Sequence, residues 1–292
     1  MGLNGVVVID KPADWTSMDV CAKLRGVFHE KRVGHGGTLD PMATGVLPIF
    51  VGRATRAVEF AEKSDKEYIA GLKLGVVTNT QDITGEVLEE HAVSVTRDQL
   101  WTALERFHGQ IEQIPPMYSA IKINGKKLYE LARKGKEVER KPRAIRIDAL
   151  GILSETPPEG TDYLLRIVCS KGTYVRTLCH DIGQALGCGG CMSSLRRAAA
   201  AGFDGEDAYP MERILAMEHP EELLLPVDAL FQDREKLVLS PAVEKKIRNG
   251  MTAVMPSLVP GEYRVYARSG EFLALCRAQS GKLTTIKSFF EV

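Results

Sequence analysis

The stretch VGHGGTLDPMATGVLPIFVGR, residues 33–53, decides more about this chain than any other segment. A single carboxylate, Asp40, stands between a glycine-rich turn and a proline, and an apolar run follows directly. Pro41 favours an extended backbone at Asp40, and the glycines before it leave room for a large planar ligand to approach the backbone. Residues 46–51 predict a buried strand that holds this loop rigid. A lone carboxylate on such a loop is typical of a nucleophile or a base.

Two other interpretations of the loop have to be weighed. An aspartate before a proline is also common in turns and helix caps, so the tripeptide alone leaves its role open. A phosphate-binding loop is a weaker alternative, because the stretch lacks the Gly-Lys-Ser/Thr ending that such loops need.

The overall composition indicates a folded protein outside the membrane. With 292 residues, 44% hydrophobic and 26% charged, the chain can form one large domain and a small one. No apolar run approaches the roughly 18 residues of a membrane span, and the N-terminus lacks the basic start and cleavage site of a signal peptide. We expect a soluble, cytoplasmic protein that does not bind membranes.

Six cysteines are spread along the chain without the spacing of a disulfide scaffold, so we expect them to be reduced. Cys188 and Cys191 do have metal-ligand spacing, and Cys179 and His180 precede them, which makes a zinc site an alternative. No second Cys-x-x-Cys is present, and a tight loop explains the small residues equally well. The sequence therefore predicts no metal.

The net charge is zero, but it is unevenly distributed. Residues 122–146 contain ten basic and three acidic side chains. Such a segment can neutralise phosphates and release counterions, and a solvated basic loop is equally consistent with it.

Hydrophobic periodicity predicts an α+β fold with a β-rich tail. The predicted strands cover residues 5–9, 46–51, 68–76 and 163–169. The predicted helices start at a Ser17 cap, at a Thr96 capping box and after Gly172, and an amphipathic helix covers residues 211–230. Short strand-like runs separated by glycines follow from Leu237 onwards and indicate a small β-barrel.

Residues 33–53 resemble the G-H-x-G-T-L-D-P-x-A-T-G-V-L-P signature of the TruB family of bacterial tRNA pseudouridine-55 synthases. Four more segments are similar to that family. They are K-P-A-D-W-T-S from Lys11, with Asp14 where glycine is usual, K-E-Y from Lys66, Q-I-P-P-M-Y-S-A-I-K from Gln113 and S-K-G-T-Y-V-R-T-L from Ser170.

The resemblance implies a mixed, mostly antiparallel sheet with flanking helices and a central cleft. It implies a catalytic domain at residues 1–230, in which the basic segment 122–146 grips RNA, and a small PUA-like RNA-binding β-barrel at 231–292. The implied reaction isomerises uridine 55 in the tRNA T-loop without a cofactor, and we expect a monomer that acts on the T-arm of tRNA without an obligatory protein partner.

The same resemblance assigns roles to individual residues. Asp40 is the essential carboxylate, Arg176 pairs with it, and Tyr68 stacks on the uracil and helps to remove the C5 proton. The implied substrate-binding residues are His35, which assists base eversion, Tyr68, Tyr174, Leu195 and Lys11. Whether Asp40 attacks C1′ or C6, or takes the 2′ proton on a glycal route, stays open.

Three alternatives remain beside this prediction. An RNA-binding or tRNA-folding protein with lost or secondary catalysis would need only the basic segment and stacking tyrosines. A zinc-dependent nucleic-acid enzyme would use the cysteines around 179–191. A guide-RNA-dependent relative is conceivable, although the short segment before Lys11 favours a stand-alone enzyme.

Overall fold

A computed structural model describes residues 2–123, 125–155 and 162–290 of the chain. Its strands, in chain order, are β1 (Gly5–Lys11), β2 (Val33–His35), β3 (Thr44–Val51), β4 (Lys66–Leu74), β5 (Val76–Thr78), β6 (Val87–Glu90), β7 (Gly109–Gln113), β8 (Lys122–Ile123), β9 (Lys126–Lys127), β10 (Arg143–Glu155), β11 (Asp162–Cys169), β12 (Gly190–Ala200), β13 (Tyr209–Pro210), β14 (Glu235–Val238), β15 (Ala253–Val254), β16 (Gly261–Tyr266), β17 (Phe272–Gln279) and β18 (Lys282–Ser288). Its α-helices are α1 (Ser17–Val27), α2 (Val58–Lys63), α3 (Arg97–Glu105), α4 (Leu128–Ala132), α5 (Val175–Ala185), α6 (Met211–Ala216) and α7 (Pro241–Arg248).

The main sheet is mixed and mostly antiparallel, which confirms the predicted fold class. Its strand order is β13-β1-β3-β12-β4-β11-β10-β7, and β2 pairs with β3 beside this path. The pairs β1–β13 and β3–β12 are parallel, and the other pairs are antiparallel.

Strands β1 and β3 consist of continuous apolar runs because both of their faces are covered. Val7 and Ile9 belong to the hydrophobic cluster that also contains buried residues of α1 and α5. Val6 and Val8, which point the other way, pack in a second cluster with Phe231. Strand β3, which follows the loop around Asp40, is held from both sides in the same way, since Ile49 lies in the first cluster and Phe50 in the second.

Two helix starts follow the expected capping chemistry, with one correction. Thr96 forms the predicted capping box with Gln99 at the start of α3. At the start of α1, the cap is Thr16 and not Ser17, because Thr16 pairs reciprocally with Asp19. Ser17 is the first helical residue, and its buried hydroxyl bonds to the backbone of Leu39.

The amphipathic helix predicted for residues 211–230 is wrong as a continuous element. The structure has the short helix α6, followed by two 3-10 helices at Pro220–Leu223 and Val227–Phe231. Pro220 and Pro226 lack the amide hydrogen that a continuing helix needs, so the apolar spacing is distributed over three short pieces.

A second sheet, in the order β14-β16-β17-β18-β15, forms the predicted β-rich tail. It has its own core and also packs on the main sheet, since Leu275 and Phe289 share a cluster with Phe50. An ion pair of 2.7 Å between Lys287 and Glu59 adds a polar contact. Among the described residues, no helix is long and apolar enough to cross a membrane.

Candidate active site

The loop that carries Asp40 is clamped to the rest of the fold. It connects β2, in which His35 pairs with Ile49, to β3. Leu39 is buried, and its amide nitrogen donates to the Ser17 hydroxyl over 2.9 Å. Behind Asp40, the Ala43 amide donates to the Asp40 carbonyl over 3.0 Å, which closes a tight turn. The carboxylate therefore projects from a rigid backbone.

Arg176 approaches this carboxylate from the first turn of α5. Its Nε lies 3.1 Å from Oδ2 of Asp40, so the ion pair that the family resemblance implied is present. The two side chains differ in exposure, since that of Arg176 is 9% exposed and that of Asp40 is 40% exposed. A largely buried cation thus orients a carboxylate that an incoming substrate can reach.

Asp82, which sequence reasoning missed, holds the other side of the guanidinium. Its Oδ2 lies 3.3 Å from Nη1 of Arg176, and the Asp82 side chain is buried. Its Oδ1 accepts hydrogen bonds from the Thr84 amide and the Thr80 hydroxyl. The turn-forming spacing Thr-x-Asp-x-Thr-Gly at residues 80–85 was the available signal, but it indicates a turn and does not reveal the Arg176 contact.

Arg176 has a third anchor in the backbone. Its Nη2 donates to the carbonyl of Tyr118 over 2.9 Å. Tyr118 lies in the Pro-Pro-containing segment that the resemblance singled out, so that segment supports the site through its backbone.

Tyr68 and Leu195 lie on neighbouring antiparallel strands, β4 and β12. Leu195 pairs with Ala70 and Arg197 pairs with Tyr68 in the register of these strands. Tyr68 is half-buried, and burial raises the pKa of its hydroxyl while the charge of Arg197 opposes the rise. The structure thus brings Tyr68 into the electrostatic surroundings of Asp40, whose charge also raises its pKa.

The two arginines after Leu195 point in opposite directions. Arg196 is exposed and forms two hydrogen bonds with Asp10, at 3.0 and 2.9 Å. Arg197 is 1% exposed, and its Nε donates to the Val46 carbonyl over 2.7 Å. Strand alternation separates a surface charge from a buried one.

Tyr174 precedes α5 and is held by the buried side chain of Gln113. The Tyr174 amide donates to Oε1 of Gln113 over 2.9 Å, and Nε2 of Gln113 donates to the Tyr174 carbonyl over 3.1 Å. These two bonds satisfy the backbone at the helix start and fix the direction in which the ring leaves it. Burial raises the pKa of the Tyr174 hydroxyl.

His35 is half-buried. It belongs to β2, and its Nδ1 is buried and has no hydrogen-bond partner among the described residues. Burial and the nearby charge of Arg197 lower its pKa from the usual 6.5, so the ring is neutral at pH 7.

Lys11, which the resemblance placed among the substrate-binding residues, lies behind the loop and not in the open cleft. It is completely buried, and its ammonium donates to the carbonyls of Pro12, Trp15 and Pro41 at 2.7, 2.6 and 3.2 Å. Burial lowers its pKa. In this conformation Lys11 braces the backbone next to Asp40.

All six cysteines are buried and unpaired with one another. Burial raises the pKa of the Cys191 thiol to about 11 and that of Cys179 further, so neither is a thiolate at neutral pH. Within residues 2–123, 125–155 and 162–290, no three His, Cys, Asp or Glu side chains are arranged to hold a metal ion.

Comparisons with known proteins agree with this geometry. The N-terminal domain model of the TruB family pseudouridylate synthases matches residues 25–175, and the C-terminal domain model of tRNA pseudouridylate synthase B matches residues 176–232. The chain is 46% identical over 248 residues to tRNA pseudouridine synthase B of Alkaliphilus oremlandii, covering 85% of this chain and 82% of the relative. It is 43% identical over 283 residues to the protein of that name from Azoarcus sp., covering 96% and 93%.

A solved structure is also similar to this chain in fold. A chain in the crystal structure of a Cbf5-Nop10-Gar1 complex superimposes with a TM-score of 0.75 at 26% identity, over 98% of this chain and 85% of that chain. The family models together span both the Asp40 loop and Arg176. This chain therefore belongs to the TruB family of pseudouridylate synthases.

Proposed function

We propose that this protein isomerises uridine to pseudouridine in tRNA and that its target is uridine 55 in the T-loop. The observation that carries the proposal is the ion pair of 3.1 Å between Asp40, which solvent can reach, and the buried Arg176. The relatives named tRNA pseudouridine synthase B support tRNA as the substrate. The T-loop position rests on the match of residues 33–53 to the family signature.

The reaction needs no co-reactant. The N1–C1′ bond of uridine breaks, the uracil turns, and a C5–C1′ bond forms. The proton lost from C5 is balanced by one gained at N1, so the product is an isomer of the substrate. Nothing is oxidised and no group is donated, which fits a site built from a carboxylate, a guanidinium and aromatic rings.

Asp40 is the essential carboxylate in this proposal, and Arg176 orients it. The guanidinium is itself fixed by Asp82 and the Tyr118 carbonyl, at 3.3 and 2.9 Å. Preorganised charges of this kind stabilise a transition state because they need no rearrangement when the charge of the substrate changes. Asp82 and Lys11 act as positioning residues, the first through Arg176 and the second through the backbone of the loop.

The target nucleotide has to leave its stack before Asp40 can reach it, and extrusion of a base costs a few kcal/mol. We assign Tyr68 to stack on the uracil and to assist removal of the C5 proton. Tyr174 and Leu195 contact the flipped nucleotide, and His35 assists eversion as a neutral ring. The partly buried rings of Tyr68 and Tyr174 suit this task because they combine an apolar face with a polar hydroxyl.

RNA binding extends beyond the pocket. Lys122 and Lys126 are exposed on the hairpin β8–β9 within the basic segment 122–146, where they can reach phosphates. We assign residues 1–230 to catalysis and 231–292 to a PUA-like module that contacts the tRNA. We further propose, as the family resemblance implies, a monomer that acts in the cytoplasm without an obligatory protein partner.

The test is release of tritium from an unmodified tRNA transcript labelled at uracil C5. We expect the protein to release one equivalent of label, mapped to the T-loop uridine. A matched transcript with cytidine at that position should release none. Binding of the transcript without release of label from any uridine would contradict the proposal and favour an RNA-binding or tRNA-folding protein.

A further inference from the structure

Arg197 is a buried cation without a matching anion. It is 1% exposed, and no carboxylate in the described part of the chain lies within ion-pair distance of it. Burial of a charge is costly unless hydrogen bonds compensate for it, and an apolar residue of similar volume often serves stability equally well. The position of Arg197 therefore points to a task beyond packing.

Its contacts connect three parts of the site. Nε donates to the Val46 carbonyl on β3, and Nη2 donates to the Gly37 carbonyl in the loop before Asp40, at 2.7 and 3.2 Å. Gly37 has a φ of +109°, and a Cβ there would lie 3.5 Å from Nη1 of Arg197. The third part is β4, because Arg197 is the cross-strand partner of Tyr68, which places the two side chains on the same face of the sheet.

Charged and titratable groups surround Tyr68 from several elements. Arg197 faces it from β12, Asp40 from the loop and Cys169 from β11. Lys66 lies two residues away on the same face of β4 and is electrostatically coupled to Arg197. Burial raises the pKa of Tyr68, Arg197 lowers it, and Cys169 and Asp40 raise it.

We infer that Arg197 is a positioning residue for the reaction, which acts through Tyr68 by holding the phenol beside the loop that carries Asp40. This inference rests on the role proposed above for Tyr68 in removing the C5 proton. A phenol that accepts a proton has to be available as phenolate, and a guanidinium on the neighbouring strand stabilises that form. The same guanidinium keeps the Gly37 carbonyl in place, so that the loop and the phenol share one anchor.

The experiment measures single-turnover tritium release against pH for the wild type, Arg197→Gln, Tyr68→Phe and the double variant. We expect Arg197→Gln to slow release about tenfold at pH 7 and to move the profile by about one unit towards higher pH, since one unit corresponds to a tenfold change in the phenolate fraction. In the Tyr68→Phe background the same change should cost clearly less and cause no shift of the pH profile, because only the contacts with the Val46 and Gly37 carbonyls are then lost.

Two further variants keep the test decisive. Arg196→Gln removes the neighbouring arginine on the opposite face of β12, and it should leave the profile in place. Arg197→Lys retains a cation with a shorter reach. Its pH profile should lie at the wild-type position, with a rate below that of the wild type. This variant also tests the inference if Arg197→Gln does not fold.

A loss of equal size in both backgrounds, independent of pH, would overturn the inference and leave Arg197 with a purely structural role. Wild-type activity in Tyr68→Phe would instead refute the proposed role of Tyr68. The two failures are therefore distinguishable from each other and from a protein that never releases label.

Discussion

The carboxylate of Asp82 lies 3.3 Å from Nη1 of Arg176, and it fixes from the buried side the guanidinium whose Nε faces Asp40. A short turn outside the main sheet thus determines the geometry of the exposed carboxylate. Because Asp82 accepts hydrogen bonds from Thr80 and Thr84, its own position is set by local backbone structure.

Substitution of Asp82 should reduce both stability and activity. Asp82→Asn leaves the buried Arg176 short of one anion, and removal of one partner from a buried pair costs about 3–5 kcal/mol. Misplacement of the guanidinium should slow catalysis about 100-fold. Urea unfolding and single-turnover tritium release measure the two effects.

The control for Asp82 is Asp148→Asn, which removes a carboxylate from an exposed pair with Arg146. It should change neither measurement appreciably. Full activity in Asp82→Asn would show that Arg176 needs no second anion.

The fold could be predicted where the pattern is local. The apolar runs of β1, β3 and β11 and the capping box at Thr96 are readable because burial and hydrogen bonding act within a few residues. The prediction of a continuous helix over residues 211–230 was wrong because it relied on the apolar spacing and neglected Pro220 and Pro226, which interrupt a helix. The mostly antiparallel order of the main sheet depends on long-range pairing, and the family resemblance supplied it.

The site could be predicted where its residues belong to local sequence motifs. Asp40, Tyr68 and Arg176 belong to recognisable motifs, and the structure brings the first and the last into contact. Asp82 and Arg197 could not be found, because a buried charge is identified by its surroundings and not by its neighbours in the sequence. The resemblance placed Lys11 among the substrate-binding residues, and only the fold shows that its ammonium is turned towards backbone carbonyls.

Lys66 should make stability depend on pH in the alkaline range. Burial lowers its pKa from 10.5 to about 8, while its ammonium donates to the carbonyls of Ala61, Glu62 and Ser64. Between these two pKa values the unfolded chain binds more protons than the folded one, so the contribution of Lys66 to stability rises with pH. Below about pH 8 Lys66 is charged in the folded protein as well, so the full free-energy cost of burying its charge lowers stability there.

Urea unfolding of the wild type and Lys66→Met at several pH values between about 7.5 and 10 tests this effect. As the pH rises, the free energy of unfolding of the wild type should increase relative to that of Lys66→Met by at most about 1.4 kcal/mol per pH unit. Lys63→Met, at an exposed neighbour on α2, should give a curve parallel to the wild type. Parallel curves for Lys66→Met would refute the shifted pKa.

The buried thiols should be unreactive in the native protein. Burial raises the pKa values of Cys21, Cys169 and Cys276 to about 11, and the thiolate is the form that reacts and binds metal. We expect no cysteine to react rapidly with Ellman's reagent at pH 8, and all six to react in urea. Metal analysis should find no stoichiometric zinc. One zinc per chain, removed by a chelator together with activity, would restore the zinc-enzyme alternative.

The exposed lysines of the β8–β9 hairpin should contribute to RNA affinity through charge alone. Lys122→Gln and Lys126→Gln should each weaken tRNA binding and reduce the slope of log affinity against log salt by about one. The slope from filter binding at several salt concentrations measures this, with Lys63→Gln as the control outside the basic segment. Unchanged slopes in both variants would place the phosphate contacts elsewhere.

The central claim is that Asp40 carries the chemistry, and a single comparison tests it most directly. C5-tritiated tRNA transcript is incubated with the wild type, with Asp40→Asn and with the control Asp10→Asn, whose carboxylate pairs with Arg196. Binding of the transcript is measured in parallel. We predict release of label by the wild type and the control, none by Asp40→Asn, and similar tRNA affinity for all three proteins. Appreciable turnover by Asp40→Asn would contradict the assignment of Asp40 as the essential carboxylate.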